Sequence, residues 1–241
     1  MRRFQVKWQF NRTNIVCGSI AILGIVQFAA SVIHSIGEYP GGYDVGTHFL
    51  SDLGRTRTLT GFNNEICASR FNRSLILLGI LLIPFFVTMS STFEHGRAVS
   101  TASGVCSAVG LIGIGSTPYN VYLLEHLMAL GMWLVSTLLM VASFFVYSRL
   151  NRISSLLLAV ITLCFFGVAW KYVSAGSHTG HVVFQKILVV VAICWFVLVF
   201  LIASISTIHS IASFRLTQEH SARRYIRAIE RSHRRSTAER S

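Results

Sequence analysis

Charge is scarce in this chain, and acidic charge is scarcest. Nine Asp and Glu face 21 Lys and Arg in 241 residues, so 12% of the chain is charged and the formal net charge is +12. A soluble domain carries roughly twice that charged fraction, so a water-soluble globule is not the first reading. Proline is almost absent, at three residues, and the five cysteines are scattered. Collagen-like, linker-rich and disulfide-framed chains are thereby excluded. No Gly-rich phosphate loop and no His-Glu-x-x-His signature occurs, which removes the common phosphate-cradle and zinc-protease motifs. The arginines come without interleaved aromatics or a reading motif, so nucleic acid is not an expected partner.

What is abundant is apolar surface, at 53% of residues. A bilayer-crossing helix needs about 20 largely apolar residues. Six stretches qualify, near 14–36, 74–92, 98–115, 121–148, 154–174 and 182–209. The fold class expected is all-α, a polytopic membrane bundle of six transmembrane helices. Its organisation is a basic segment 1–13, a membrane domain 14–209 and a basic tail 210–241. The first apolar run follows Arg2, Arg3, Lys7 and Arg12. It exceeds the 7–15 residues of a signal h-region, so it reads as an uncleaved anchor.

Short loops rich in Lys and Arg stay in the cytosol. Placing both termini there gathers 15 basic residues on the inner side, against Glu94, Glu219, Glu230 and Glu239. The expected location is the cell membrane, multi-pass, with lipids as partners. Three connections then face outward, near 37–73, 115–120 and 175–181. The longest holds Phe49, Leu50, Leu53, Leu59 and Phe62, too apolar for disorder, and is expected to fold back over the helix ends. Tyr39, Tyr43, Tyr119, Trp170 and Tyr172 are placed in an aromatic belt at the outer interface.

The chemically capable residues converge on that outer side. Residues three, four or seven apart share a helix face. Tyr122, Glu125 and His126 can line the fourth span, and His178, His181 and Gln185 the start of the sixth. His48 and Asp52 align if their stretch is helical. Three readings of this set stand open. In the first, His48, Asp52, His126, His178 and His181 ligate a divalent metal such as zinc, with Glu125 or Asp52 in a catalytic role on a metal-bound water. In the second, Ser51, Asn63, Asn72, Asn120, Tyr122, Gln185 and Lys186 contact a lipid headgroup or small polar ligand in a cavity open to the outer side. In the third, the same polar groups simply cap helix ends and tie the loop down. Thr117-Pro118 reads as a helix N-cap followed by proline at the first helical position. A solute transporter or channel component, or a membrane sensor or structural partner, remains an alternative function.

Four separated pieces form a recognisable pattern: His48-Phe-Leu-Ser-Asp-Leu-Gly54, Phe71-Asn72, Ser116-Thr-Pro118 with His126 downstream, and Gln185-Lys186. Together they resemble the six-helix bacterial and archaeal membrane family known as domain of unknown function 998. The resemblance spans most of residues 14–209 and leaves the basic tail outside. It implies a six-span bundle and brings no activity with it.

Overall fold

The computed structural model describes residues 12–89, 96–147, 152–174 and 180–201. The N-terminal segment, the basic tail, the far end of the last expected span and His178 lie outside the described residues. Among the described residues six α-helices run in chain order: α1 (Arg12–Glu38), α2 (Glu65–Met89), α3 (Arg97–Ser116), α4 (Leu123–Tyr147), α5 (Arg152–Ser174) and α6 (Gly180–Leu201). No strand occurs among the described residues. Five helices are long and apolar enough to cross a membrane, and α5 adds the shorter apolar stretch Ala159–Ser174. Their outward faces stay apolar: Ile33, Leu163 and Trp170 are each more than 70% exposed. Large apolar side chains turned outward along several long helices suit hydrocarbon and not water. The chain is a multi-pass membrane protein.

Lipid tails are as apolar as the helices, so helix association there rests on close packing and buried hydrogen bonds. The middle of the bundle is built that way. Helix α3 packs on both α2 and α4, and α1 packs on α2. A β-carbon on Gly110 would stand 2.7 Å from the backbone nitrogen of Trp133, and one on Gly79 would stand 2.7 Å from the Ala108 carbonyl. Between these contacts Ser107 and Thr137 share a buried 2.7 Å hydroxyl hydrogen bond. Helix α6 joins through Phe196, whose ring lies 5.6 Å from that of Phe86.

Two expectations fail at helix starts. Helix α2 begins at Glu65, nine residues before the expected 74, because its first turns carry Glu65, Arg70, Asn72 and Arg73 and interrupt the apolar run. The start is set by Asn63, whose Oδ1 accepts the Glu65 amide at 2.9 Å, and by Asn64, whose carbonyl accepts the Ala68 amide. The acidic Glu65 in the first turn suits the helix dipole. Thr117 does not cap α4. It closes α3, its amide and hydroxyl both donating to the Gly113 carbonyl, while Pro118 opens a turn whose carbonyl accepts from Val121 and Tyr122. Helix α4 follows only at Leu123.

The close approach of α3 to α4 yields a test. Gly110→Ala forces the two backbones apart, and overpacking of this kind costs about 1–3 kcal/mol. The thermal midpoint of the detergent-solubilised protein is expected to fall by several degrees. Gly131→Ala, where an added β-carbon meets nothing within 4 Å, leaves the midpoint unchanged or raises it, since alanine is the better helix former.

Candidate functional site: a lidded cavity

The segment 39–64 lies across the ends of the helices as a lid. Its centre is a single 3-10 turn, Leu50–Gly54. Asp52 shapes that turn by accepting the Phe49 amide at 2.7 Å and pairing with Arg55 at 3.6 Å. Leu53 is fully buried beneath it. On one flank Tyr39, Tyr43 and His48 form an aromatic cluster with ring centroids 5.4–5.6 Å apart. Tyr43 donates to the carbonyls of His48 and Phe49, and burial pushes its phenol well above the ordinary tyrosine value, so it stays a donor. These two tyrosines belong to the lid interior. Of the expected aromatic belt, Trp170 stands out in the open and Tyr172 packs on His181.

The lid is fastened to three separate helix ends. Gln185 of α6 accepts the Leu50 amide through Oε1 at 2.9 Å. Lys186 donates to the Val45 and His48 carbonyls and sits 5.4 Å above the Tyr43 ring. Asn120, between α3 and α4, makes a two-way pair with Thr56, at 3.0 Å to its amide and 2.8 Å to its hydroxyl. Asn72 of α2 donates to the Gly54 carbonyl at 3.0 Å, and Asn64 donates to the Arg55 carbonyl at 2.8 Å. The first outer connection, the turn before α4 and the start of α6 therefore do meet at one end of the bundle.

Under the lid lies a cavity of about 80 Å³. Its walls are apolar and come from α1, α2, α3, α4 and α6, with Phe28, Leu78, Leu111, Trp133 and Phe196 among them. Among the described residues its polar lining side chains are Ser51, His126 and Gln185, beside the Trp133 indole. His126 is buried against the Tyr119 ring and its Nδ1 lies 2.7 Å from the Thr117 carbonyl. A carbonyl can only accept, so Nδ1 carries the proton and Nε2 of the neutral ring is an acceptor. Gln185 spends Oε1 on the lid and keeps its amide nitrogen as a donor. The lid end of the cavity thus offers one acceptor, one donor and a hydroxyl that can be either. Among the described residues no charged side chain lines it.

The expected site residues divide accordingly. Ser51, His126 and Gln185 come together. Asp52, Asn63, Asn72, Asn120 and Lys186 fasten the lid or cap helices. Glu125 and Tyr122 are exposed and outside the cavity lining. His48 is turned into the lid, with its Nδ1 accepting the Asp44 amide at 3.1 Å, and His181 stacks edge-on against Tyr172 at 5.9 Å. Among the described residues no three His, Cys, Asp or Glu side chains stand close enough to share a metal ion. The cavity is therefore apolar with a polar end, where a His/Asp/Glu-lined cavity was expected. Thr56 and Asn64 were not singled out from the sequence, and Tyr39 and Tyr43 were placed in an interfacial belt and not in the lid interior. The Asn63-Asn64-Glu65 run was a usable signal, being a capping pattern ahead of an apolar helix.

No family model, no curated protein and no solved structure matches the chain.

The lid's outer edge is pH-sensitive. Asp44 accepts from the Gly46 amide at 2.8 Å and the Thr47 hydroxyl at 2.9 Å, and these donors hold its carboxyl below the usual carboxylate range. A lowered folded-state value means the fastening is complete above the ordinary aspartate value, about 3.9, and is lost as pH falls through the lowered one. Amide protection at Gly46, corrected for intrinsic exchange, is expected to drop below about pH 4. Asp44→Asn should flatten that dependence.

Proposed function

We propose that this chain is a six-span protein of the cell membrane, with both termini cytosolic, that binds a small neutral amphiphile in its bundle cavity. The observation that carries this reading is the chemistry of the cavity wall: apolar on five helices and polar only at the lid. An apolar pocket with a few convergent polar groups is the usual form of a ligand site. The ligand's hydrocarbon part lies among Leu78, Leu111, Trp133 and Phe196. Its head meets Ser51, His126 and Gln185. With no charge to pair, the site favours a neutral head that can both donate and accept, such as a hydroxyl or an amide. A hydroxyl donating to His126 Nε2 and accepting from the Gln185 amide would satisfy both groups at once.

The same reading extends to membership of the domain-of-unknown-function-998 family. What supports it is that three of the four pieces of the resemblance touch one another and the fourth is closed on itself. Gly54 meets Asn72, Leu50 meets Gln185 and His48 meets Lys186, while Thr117 meets His126 within its own piece. A pattern whose separated parts close one lid has a physical reason to recur as a set.

The test is native mass spectrometry of the purified protein with lipid extraction and elemental analysis of the same preparation. Wild type is expected to carry a hydrophobic ligand at near one equivalent and no stoichiometric zinc. Ala192→Phe fills the cavity and should empty it. His126→Phe and Gln185→Leu each remove one head contact, worth about 1 kcal/mol, and should reduce occupancy several-fold in limiting ligand. Unchanged ligand in a folded Ala192→Phe protein would sink the assignment, and one equivalent of zinc would turn it towards metal-dependent hydrolysis.

A further inference from the structure

A second site lies outside the bundle, in the groove between the lid-side halves of α1 and α2. Outward faces of membrane helices are normally apolar, yet this groove is lined by Gln27 and Ser31 of α1 and by Glu65, Ser69, Arg70 and Arg73 of α2. Polar groups at membrane depth face a partner or a cavity as a rule. Arg70 has its partner, an ion pair with Glu38. Gln27 donates to Ser31 at 3.1 Å, closing the groove floor. Arg73 and Glu65 are exposed, and neither side chain has an ion pair among the described residues.

The order of these groups along the membrane normal is chemically specific. Glu65 opens α2 at the lid end, and Arg73 lies eight residues further in, about 12 Å at 1.5 Å per residue. Side chains lean towards the N-terminus of their own helix, so the Arg73 guanidinium leans back towards the lid end. Helix α1 runs the other way, and its Ser31 and Gln27 lean deeper. From the surface inward the groove therefore presents a carboxylate, then guanidinium with the Ser69 hydroxyl, then the hydroxyl and amide of Ser31 and Gln27. Below them is apolar helix with Leu77. A phospholipid entering from that leaflet presents an amine, a phosphate, ester oxygens and acyl chains in the same sequence.

We propose that the α1–α2 groove binds a phospholipid with a primary amine in its head, the phosphate on Arg73 and the ammonium at Glu65. Guanidinium matches a phosphate's oxygens with several donors. A primary ammonium donates hydrogen bonds to a carboxylate, whereas a quaternary amine cannot, and a glycerol head has no cation for Glu65. Ile66, 78% exposed at the rim, and Leu77 give the acyl chains an apolar edge, which favours a lipid over a free phosphate ion.

The experiment uses the full chain in nanodiscs made from equal parts phosphatidylethanolamine, phosphatidylglycerol and phosphatidylcholine with matched acyl chains. Lipid retained after mild detergent extraction is read by native mass spectrometry. Wild type should retain the ethanolamine lipid at least fivefold over either competitor. Arg73→Gln should reduce its retention about tenfold, and Arg73→Lys should restore part of it. Glu65→Gln should erase the preference over phosphatidylglycerol while leaving total phospholipid retained. The thermal midpoint of each variant checks that it is folded, and the cavity ligand described above should persist in all of them. Equal retention of the three lipids, or unchanged retention in Arg73→Gln, overturns the proposal. So does displacement by millimolar inorganic phosphate, which would point to a soluble anion, or a lipid-free dimer closing the groove with a second copy.

Discussion

Irregular backbone at the end of a membrane bundle is under one constraint: its amides and carbonyls must find partners in the protein wherever water cannot reach them. Between α1 and α2 the chain crosses the bundle end for 26 residues, with only one 3-10 turn of its own. Its internal turns satisfy part of the need. The rest falls to side chains borrowed from the helices. Gln185 takes the Leu50 amide, Asn120 takes the Thr56 amide, Asn72 serves the Gly54 carbonyl and Lys186 serves the carbonyls of Val45 and His48. Each of these groups costs free energy inside a membrane bundle when unpartnered, so lid and helices depend on each other.

That dependence fixes the cavity. Helices α1 to α4 are drawn together by small residues, as at Gly79 and Gly110, and α6 reaches the same end through Gln185 and Lys186. Around the void the apolar walls carry Phe28, Phe71, Trp133 and Phe196. The polar boundary gathers at the lid end, where Ser51 of the lid meets His126 of α4 and Gln185 of α6. Gln185 works on both sides at once, its oxygen committed to the lid and its nitrogen left to the cavity. A ligand that engaged the Gln185 amide would therefore be linked to the lid through a single side chain.

The helices were legible because hydropathy over about 20 residues reports the solvent of the whole segment, and five of them meet that test of length and composition. Helix α2 was legible only in its lower part. Its first turns carry the charges that make the outer groove, and a hydropathy window reads charge as loop. The lid's position was legible from its apolar content, as was the meeting of the outer connections. What the sequence could not sort was which polar residue faces a ligand and which serves the backbone. His48 and His126 look alike in the chain, yet the first is turned into the lid by the Asp44 amide and the second lines the cavity from the Thr117 carbonyl. Asp52 looks like a catalytic carboxylate and is committed instead to the Phe49 amide and Arg55.

The two proposed sites differ in the one property that separates a membrane interior from its boundary. Charge can be held where it can lean to the surface, and Arg73 and Glu65 sit on an outward groove from which both lean towards the lid end. The cavity has no such route, since its lid end is closed by packed backbone. Its polar groups are a hydroxyl, a primary amide and an imidazole whose Nδ1 lies against the Thr117 carbonyl. A bound carboxylate or ammonium there would lack both a counter-ion and water, and its desolvation would outweigh any single hydrogen bond the site can make. On these two proposals charged amphiphiles would go to the outer groove and neutral ones to the interior, a division that follows from where each site allows a charge to be solvated.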